Sequence, residues 1–388
     1  MAYRIAMVAG EPSGDLLASH LIRALKRELG DVELFGIGGP KMEAEGFVAH
    51  WPCDRLAVHG FVDAFKHYRE LSGIRRKLLA RLLADPPDAF IGVDAPDFNL
   101  WLEQRMREAG VPAIHFVSPS IWAWRGGRIK SIARSVSHML CLFPFEPEIY
   151  QRAGVAVSYV GHPLADVFPL HPDRLAARER LQIAPDAPIV ALLPGSRESE
   201  VRNLADTYLA TAELLFQRHP DIGFLVPLAT RQTRAMFEEA MERREQALPL
   251  RILFGHAVEA MTAADVVLVA SGTASLEAAL LKRPMVISYR IGKWQYRLMK
   301  RLAYLPWVGL PNILCGETVV PELLQDAATP HALADAIDGW LADPDACARL
   351  AGRFETLHLS LKQDTATQAA RAILPYLTQT KRSGEGAC

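Results

Sequence analysis

Short apolar runs alternate with amphipathic stretches along this 388-residue chain. Residues 5–9, 89–93, 113–117, 139–143, 189–193 and 266–270 are runs of strand length, with further strands expected at 32–37, 223–227, 251–254 and 285–290. Between them, apolar positions fall three and four apart. Leu17, Leu21, Ala24, Leu25 and Leu29 form one such stripe, which stops at Gly30. Similar patterns predict helices at 66–83, 100–109, 198–218, 231–246, 257–263, 274–282, 331–342 and 345–375. This βαβα alternation predicts parallel sheets covered by helices. The pattern begins twice, at 5–9 and again at 189–193, each time with a Gly/Ser turn and a helix after the strand. Backbone N–H groups at such helix starts attract anions. The expected fold is α/β, with two Rossmann-like domains whose parallel sheets face a cleft.

Length agrees with two domains, because single cores stop growing beyond about 250–300 residues. His162-Pro163, His171-Pro172 and the prolines at 185 and 188 place the linker within 161–188. The chain is 50% hydrophobic and 22% charged with net charge −1. That composition fits a globular protein and argues against a dedicated nucleic-acid binder. Cys53, Cys141, Cys315, Cys347 and Cys388 form no C-x-x-C pair and read as separate reduced thiols of a cytosolic protein. No signal pattern opens the chain, and no apolar run approaches the ~20 residues that span a bilayer. The protein is expected to be soluble or bound to a membrane at its surface.

Several motifs carry candidate chemistry. Leu-Leu-Pro-Gly-Ser-Arg (192–197) offers Gly195 for close ligand approach, Ser196 for a cap or a phosphate oxygen, and Arg197 for bidentate contact with a diphosphate. Glu198 and Glu200 in the same first turn oppose an incoming anion. Ala-Ser-Gly-Thr-Ala-Ser-Leu-Glu (270–277) opens a second helix at Gly272 and Thr273, and Glu277 could accept from ribose hydroxyls or simply favour the helix dipole. Val-Asp-Ala-Pro-Asp-Phe-Asn (93–99) puts Asp94 at the ligand edge of a buried strand, as a general base or, with Asp97, a helix cap. Gly-Glu-Pro-Ser-Gly-Asp (10–15) brings Glu11, Ser13 and Asp15, too acidic for phosphate and suited to sugar hydroxyls or, equally, to a plain turn with helix caps. Two basic and aromatic segments suit an anionic lipid surface, or solvent alone. One carries Phe61, Phe65, Arg69, Arg75 and Arg76, the other Trp294 and Arg297. Ser118–Arg125 adds two tryptophans near the expected cleft. Gly36-Ile-Gly-Gly breaks at Pro40, Asp343-Pro344-Asp345 reads as a helix start, and the histidines have no ligand spacing. No metal and no cofactor are expected.

These motifs, with Leu-Pro-Asn at 310–312, stand in an order that closely resembles the lipid-A-disaccharide synthase family over about residues 4–374. The family usually has Ala where this chain has Pro12. The resemblance implies a glycosyltransferase-B fold. A first domain over 1–165 would meet the acceptor and the membrane, with helices 350–388 crossing back to it. A second domain over 166–349 would bind the UDP-sugar. It implies inverting transfer of 2,3-diacylglucosamine from its UDP derivative to the 6-hydroxyl of 2,3-diacylglucosamine 1-phosphate in lipopolysaccharide synthesis, with release of UDP. Asp94 is the expected base, with Glu11 and Asp15 as rivals. Gly195, Ser196, Arg197, Gly272, Thr273, Glu277 and Asn312 are expected around UDP, without metal. The expected location is cytoplasmic, peripheral on the inner face of the inner membrane, and a homodimer is left open. The runner-up readings are another UDP-sugar transferase or an epimerase of the same fold, or a non-catalytic UDP-sugar or lipid binder.

Overall fold

Seven strands form one sheet and six another in the computed structural model, which describes residues 2–56, 61–124 and 126–385. The side chains of residues 54, 61–68, 293, 298 and 379–385 lie outside that description. The first sheet contains β1 (Tyr3–Ala9), β2 (Val32–Gly38), β3 (Val48–Pro52), β4 (Ala89–Val93), β5 (Ala113–Phe116), β6 (His138–Cys141) and β7 (Val157–Tyr159). The second contains β8 (Ile189–Leu193), β9 (Gly223–Leu228), β10 (Leu250–Phe254), β11 (Val266–Ala270), β12 (Met285–Tyr289) and β13 (Glu322–Leu324). Their orders are β3-β2-β1-β4-β5-β6-β7 and β10-β9-β8-β11-β12-β13, and the described pairings are parallel. The two sheets therefore run the same course, with β1 and β4 of the first matching β8 and β11 of the second. The order reverses between those strands, and in such sheets ligands bind at the carboxyl ends beside that reversal.

β4, β8 and β11 are buried at every position, which is why each reads as an unbroken apolar run. The strands not expected from the sequence are β3, β7 and β13. They lie at sheet edges and are partly exposed, so their sequences need not be apolar throughout.

The chain divides into one unit of Met1–Asp166 with Leu361–Cys388 and another of Val167–Ser360. The return to the first unit begins at Leu361 and not at 350. The single helix expected over 345–375 is two helices, Pro344–Leu361 and Thr365–Glu385, broken where Asp364 takes φ 55°. The Asp166 carboxylate caps the second of these by accepting from the Asp364 and Thr365 amides at 3.0 and 2.7 Å. Ala369, Ala370, Ile373 and Leu377 then complete the core that Leu17, Leu21, Ile22 and Leu25 begin. Burying each of the leucine and isoleucine side chains among them contributes about 1.5–3 kcal/mol.

Candidate active site

A cavity of about 390 Å³ opens in the second unit at the carboxyl ends of its strands. Gly195, Ser196, Arg197, Gly272, Thr273 and Glu277 all line it. The turns after β8 and β11 meet there because those strands are hydrogen-bonded neighbours. The two turns differ in what their amides do. Glu200 folds back over the first, and its Oε2 accepts from Ser196 N at 3.0 Å and Arg197 N at 3.2 Å. Gly195, at φ 123°, makes room for this, since an added Cβ would lie 2.4 Å from the same oxygen. The chain's own carboxylate thus fills the turn expected to cradle a diphosphate. Helix Thr273–Leu280 has Gly272 at its start and no side-chain cap, so its start remains open to an anion.

Glu277 is half-buried on this helix, and burial raises its carboxyl above the usual range. Asn312 does not line the cavity. It is fully buried, where it accepts from the Val319 and Val320 amides and donates to Val320 O and Glu322 Oε1. Its amide is engaged by the chain itself. Pro227–Ala229, Gly255, Ala257 and Tyr289 line the cavity without having been singled out in the sequence. The signal available was the Gly255-His256 turn after a strand. Both of its residues have left-handed φ, 74° and 56°.

In the first unit, Asp94 stands at the end of β4, half-buried, and its amide donates to Phe116 O at 2.8 Å. Asp94 and Ala95 have φ of 52° and 44°, a left-handed pair in residues other than glycine. Such backbone persists where the surroundings enforce it and is concentrated at functional sites. Ala95 occupies the N-cap of helix Pro96–Glu108, so neither Asp94 nor Asp97 does. Asp97 instead pairs with Arg128 at 2.6 Å. Glu11 is exposed at the end of β1. Asp15 is buried and accepts from the amides of Gly39, Lys41 and Met42 at 2.9–3.1 Å. It caps helix Pro40–Ala44, which favours a structural role over that of a base or of a group facing sugar hydroxyls.

The family model described as lipid-A-disaccharide synthetase matches residues 5–372. The chain belongs to the lipid-A-disaccharide synthase family. It is 76% identical to the lipid-A-disaccharide synthase of Aromatoleum aromaticum, covering 98% of this chain and 97% of that protein. To the one from Dechloromonas aromatica it is 58% identical over 97% of this chain and 99% of that one. Solved structures share the fold at low identity. The glycotransferase of kitacinnamycin superposes with TM-score 0.62 at 16% identity, covering 97% and 99% of the two chains. UDP-GlcNAc 2-epimerase from Neisseria meningitidis bound to UDP-GlcNAc gives 0.61 at 11% identity, covering 97% and 100%. The fold is that of the glycosyltransferase-B class, and members of the lipid-A-disaccharide synthase family are glycosyltransferases.

The two basic and aromatic segments of this family member differ. Phe61 and Phe65 belong to helix Phe61–Ala84, but their side chains lie outside the described residues. Arg69 and Arg76 are exposed there, whereas the Arg75 guanidinium stacks on Trp101, 4.5 Å from the ring centre. Arg75 is thus half-buried with an aromatic partner. Helix Lys293–Leu302 carries Trp294, which is 82% exposed with Arg297 over its ring. Among the described residues, no helix is long and apolar enough to cross a membrane. Nor do three or more His, Cys, Asp or Glu residues gather there as a metal site.

Proposed function

We propose that this enzyme moves 2,3-diacylglucosamine from its UDP derivative onto the 6-hydroxyl of 2,3-diacylglucosamine 1-phosphate. The products are the β-1,6-linked disaccharide phosphate and UDP. Membership of the lipid-A-disaccharide synthase family favours this over an epimerase or a non-catalytic binder. The observation that carries the donor assignment is one cavity lined by an uncapped helix start, an arginine and a half-buried glutamate. In this reading the diphosphate rests on the start of helix Thr273–Leu280, where amides and dipole favour an anion. Arg197 adds bidentate donors, and Glu277 accepts from the ribose hydroxyls.

The transfer needs one proton removed and one leaving group stabilised. The acceptor's 6-oxygen attacks the anomeric carbon while its proton passes to the Asp94 carboxylate. The anomeric C–O bond to the diphosphate breaks, and its electron pair leaves with UDP. One displacement inverts the anomeric centre through an oxocarbenium-like transition state. A positioned base of this kind contributes about 10²–10⁴-fold, and electrostatic stabilisation of the departing group about 10²–10³-fold per donor.

Acylated substrates bring the enzyme to lipid. Exposed Trp294, Arg297, Arg69 and Arg76 support peripheral association with an anionic membrane, which we assign to the inner face of the inner membrane. The decisive assay follows UDP release with both acylated sugars and with each omitted. Release should require both. Release without the acceptor would overturn transfer in favour of hydrolysis or epimerisation, and no release under any condition would leave a binder.

A further inference from the structure

Beneath the end of β4 lies a buried polar column that the transfer described above does not use. Asn99, Glu103 and His115 are each 0% exposed. Asn99 and Glu103 stand one turn apart on helix Pro96–Glu108, and His115 lies in β5. His115 Nδ1 and Glu103 Oε1 are 2.6 Å apart. Asn99 Nδ2 donates to Asp94 O at 2.7 Å and faces Val93 O and Val8 O at 3.4 and 3.3 Å. Three carbonyls around that nitrogen fix the amide's orientation, so Oδ1 points away from them. At Gly92 an added Cβ would come 2.1 Å from Glu103 Oε1 and 3.0 Å from Asn99 Cγ. The carboxyl and the amide are thus neighbours over one glycine.

Asn99 Oδ1, Glu103 Oε2 and His115 Nε2 are buried with no hydrogen-bond partner. If Glu103 were ionised and His115 an imidazolium, two acceptors would be left bare and one N–H stranded. Two charges would also be desolvated, and such an arrangement is costly in a core. If Glu103 carries the proton, its O–H donates to Asn99 Oδ1 and its other oxygen accepts from His115 Nδ1–H. Only a lone pair on His115 Nε2 is then left over. Among the described residues, His115 is the charged or titratable group that acts on Glu103, and burial is the largest influence, favouring the neutral acid.

We propose that Glu103 is held as a neutral carboxylic acid and is a positioning residue for Asp94. Donors run in one direction, from His115 through Glu103 and Asn99 to the Asp94 carbonyl, and hold the left-handed turn that presents the Asp94 side chain. The positioning half of this inference rests on Asp94 being the base; the protonation half does not.

Infrared difference spectra of wild type minus Glu103→Gln at neutral pH should show a protonated-carboxyl C=O band belonging to Glu103. Gln reproduces one donor and one acceptor, so Glu103→Gln should keep kcat within about 3-fold. Glu103→Ala should lower kcat on the order of 10²-fold with KM for the UDP-sugar unchanged, as expected for a misplaced base. Absence of the band, or a Gln variant as impaired as the Ala variant, overturns the proposal. If the Ala variant does not fold, the band and the Gln variant decide alone. An active Asp94→Asn enzyme would refute the base assignment while leaving the band unaffected, so the two failures are distinguishable.

Discussion

At the end of β1 and at the end of β8 the chain makes the same strand, turn and helix, and a carboxylate from each motif is already spent within the chain. In the first unit Asp15 reaches across to cap helix Pro40–Ala44. In the second, Glu200 folds back onto the amides of its own turn. The next strand across the reversal differs in each unit. β4 ends in Asp94 on a left-handed turn, and β11 ends in a helix start that no side chain caps. In the second unit the turn most like a ligand cradle is thus self-satisfied, and the open helix start lies one strand over. Placement beside the reversal does not decide function on its own. What decides it is whether the polar groups at that position are already paired.

The largest test of this contrast is Asp94→Asn. If the end of β4 carries the base, turnover should fall by about 10²–10⁴-fold, while calorimetry gives unchanged UDP affinity. Near-wild-type turnover would move the chemistry elsewhere in the first unit, to Glu11 before Asp15. On the other side of the comparison, Arg197→Ala should weaken UDP binding by about 10- to 100-fold, the loss expected for hydrogen bonds to a charged group. Lys at this position should restore only part of it, because the fork geometry is missing. Unchanged affinity in the Ala variant would remove Arg197 from the diphosphate site.

Asp15→Asn separates a structural carboxylate from a chemical one. Its three accepted bonds cap a helix, so unfolding stability should drop by about 1–2 kcal/mol, and kcat of the folded enzyme should hold. A large fall in kcat at preserved melting temperature would return Asp15 to the site.

The sequence carries much of the fold because buried parallel strands must be apolar throughout. β4, β8 and β11 announce themselves, whereas β3, β7 and β13 lie at edges where that demand lapses. The cavity is legible for the same reason, since Gly195–Arg197 and Gly272–Glu277 follow such strands directly. What the chain does not disclose is how its polar groups pair at long range. Asp15 meets the amides of residues 39, 41 and 42, Asn312 meets those of 319 and 320, and Arg75 meets the ring of Trp101. In each case a residue type suited to a ligand is engaged by a partner that only the fold brings near. The converse holds for Gly255, Ala257 and Tyr289, which stand in no recognisable motif until the fold places them around the cavity.

The smallest expected effect is the most direct probe of the two cradles in the second unit. Glu200→Gln keeps an oxygen able to accept from Ser196 N and Arg197 N, so the Gly195 turn should persist. It removes a negative charge from the wall of a cavity read here as a diphosphate site. A charge at a helix start is worth about 0.3–1 kcal/mol. Folding stability should therefore fall by roughly that amount. UDP affinity should rise by a factor of about 2–5 at low ionic strength, since the same charge opposes the ligand. Salt should shrink the gain, because the effect is electrostatic across a solvent-open cavity. If affinity instead falls together with stability, the carboxylate serves the ligand by shaping the turn that carries Arg197. The self-capped cradle would then be as much a part of the site as the open one.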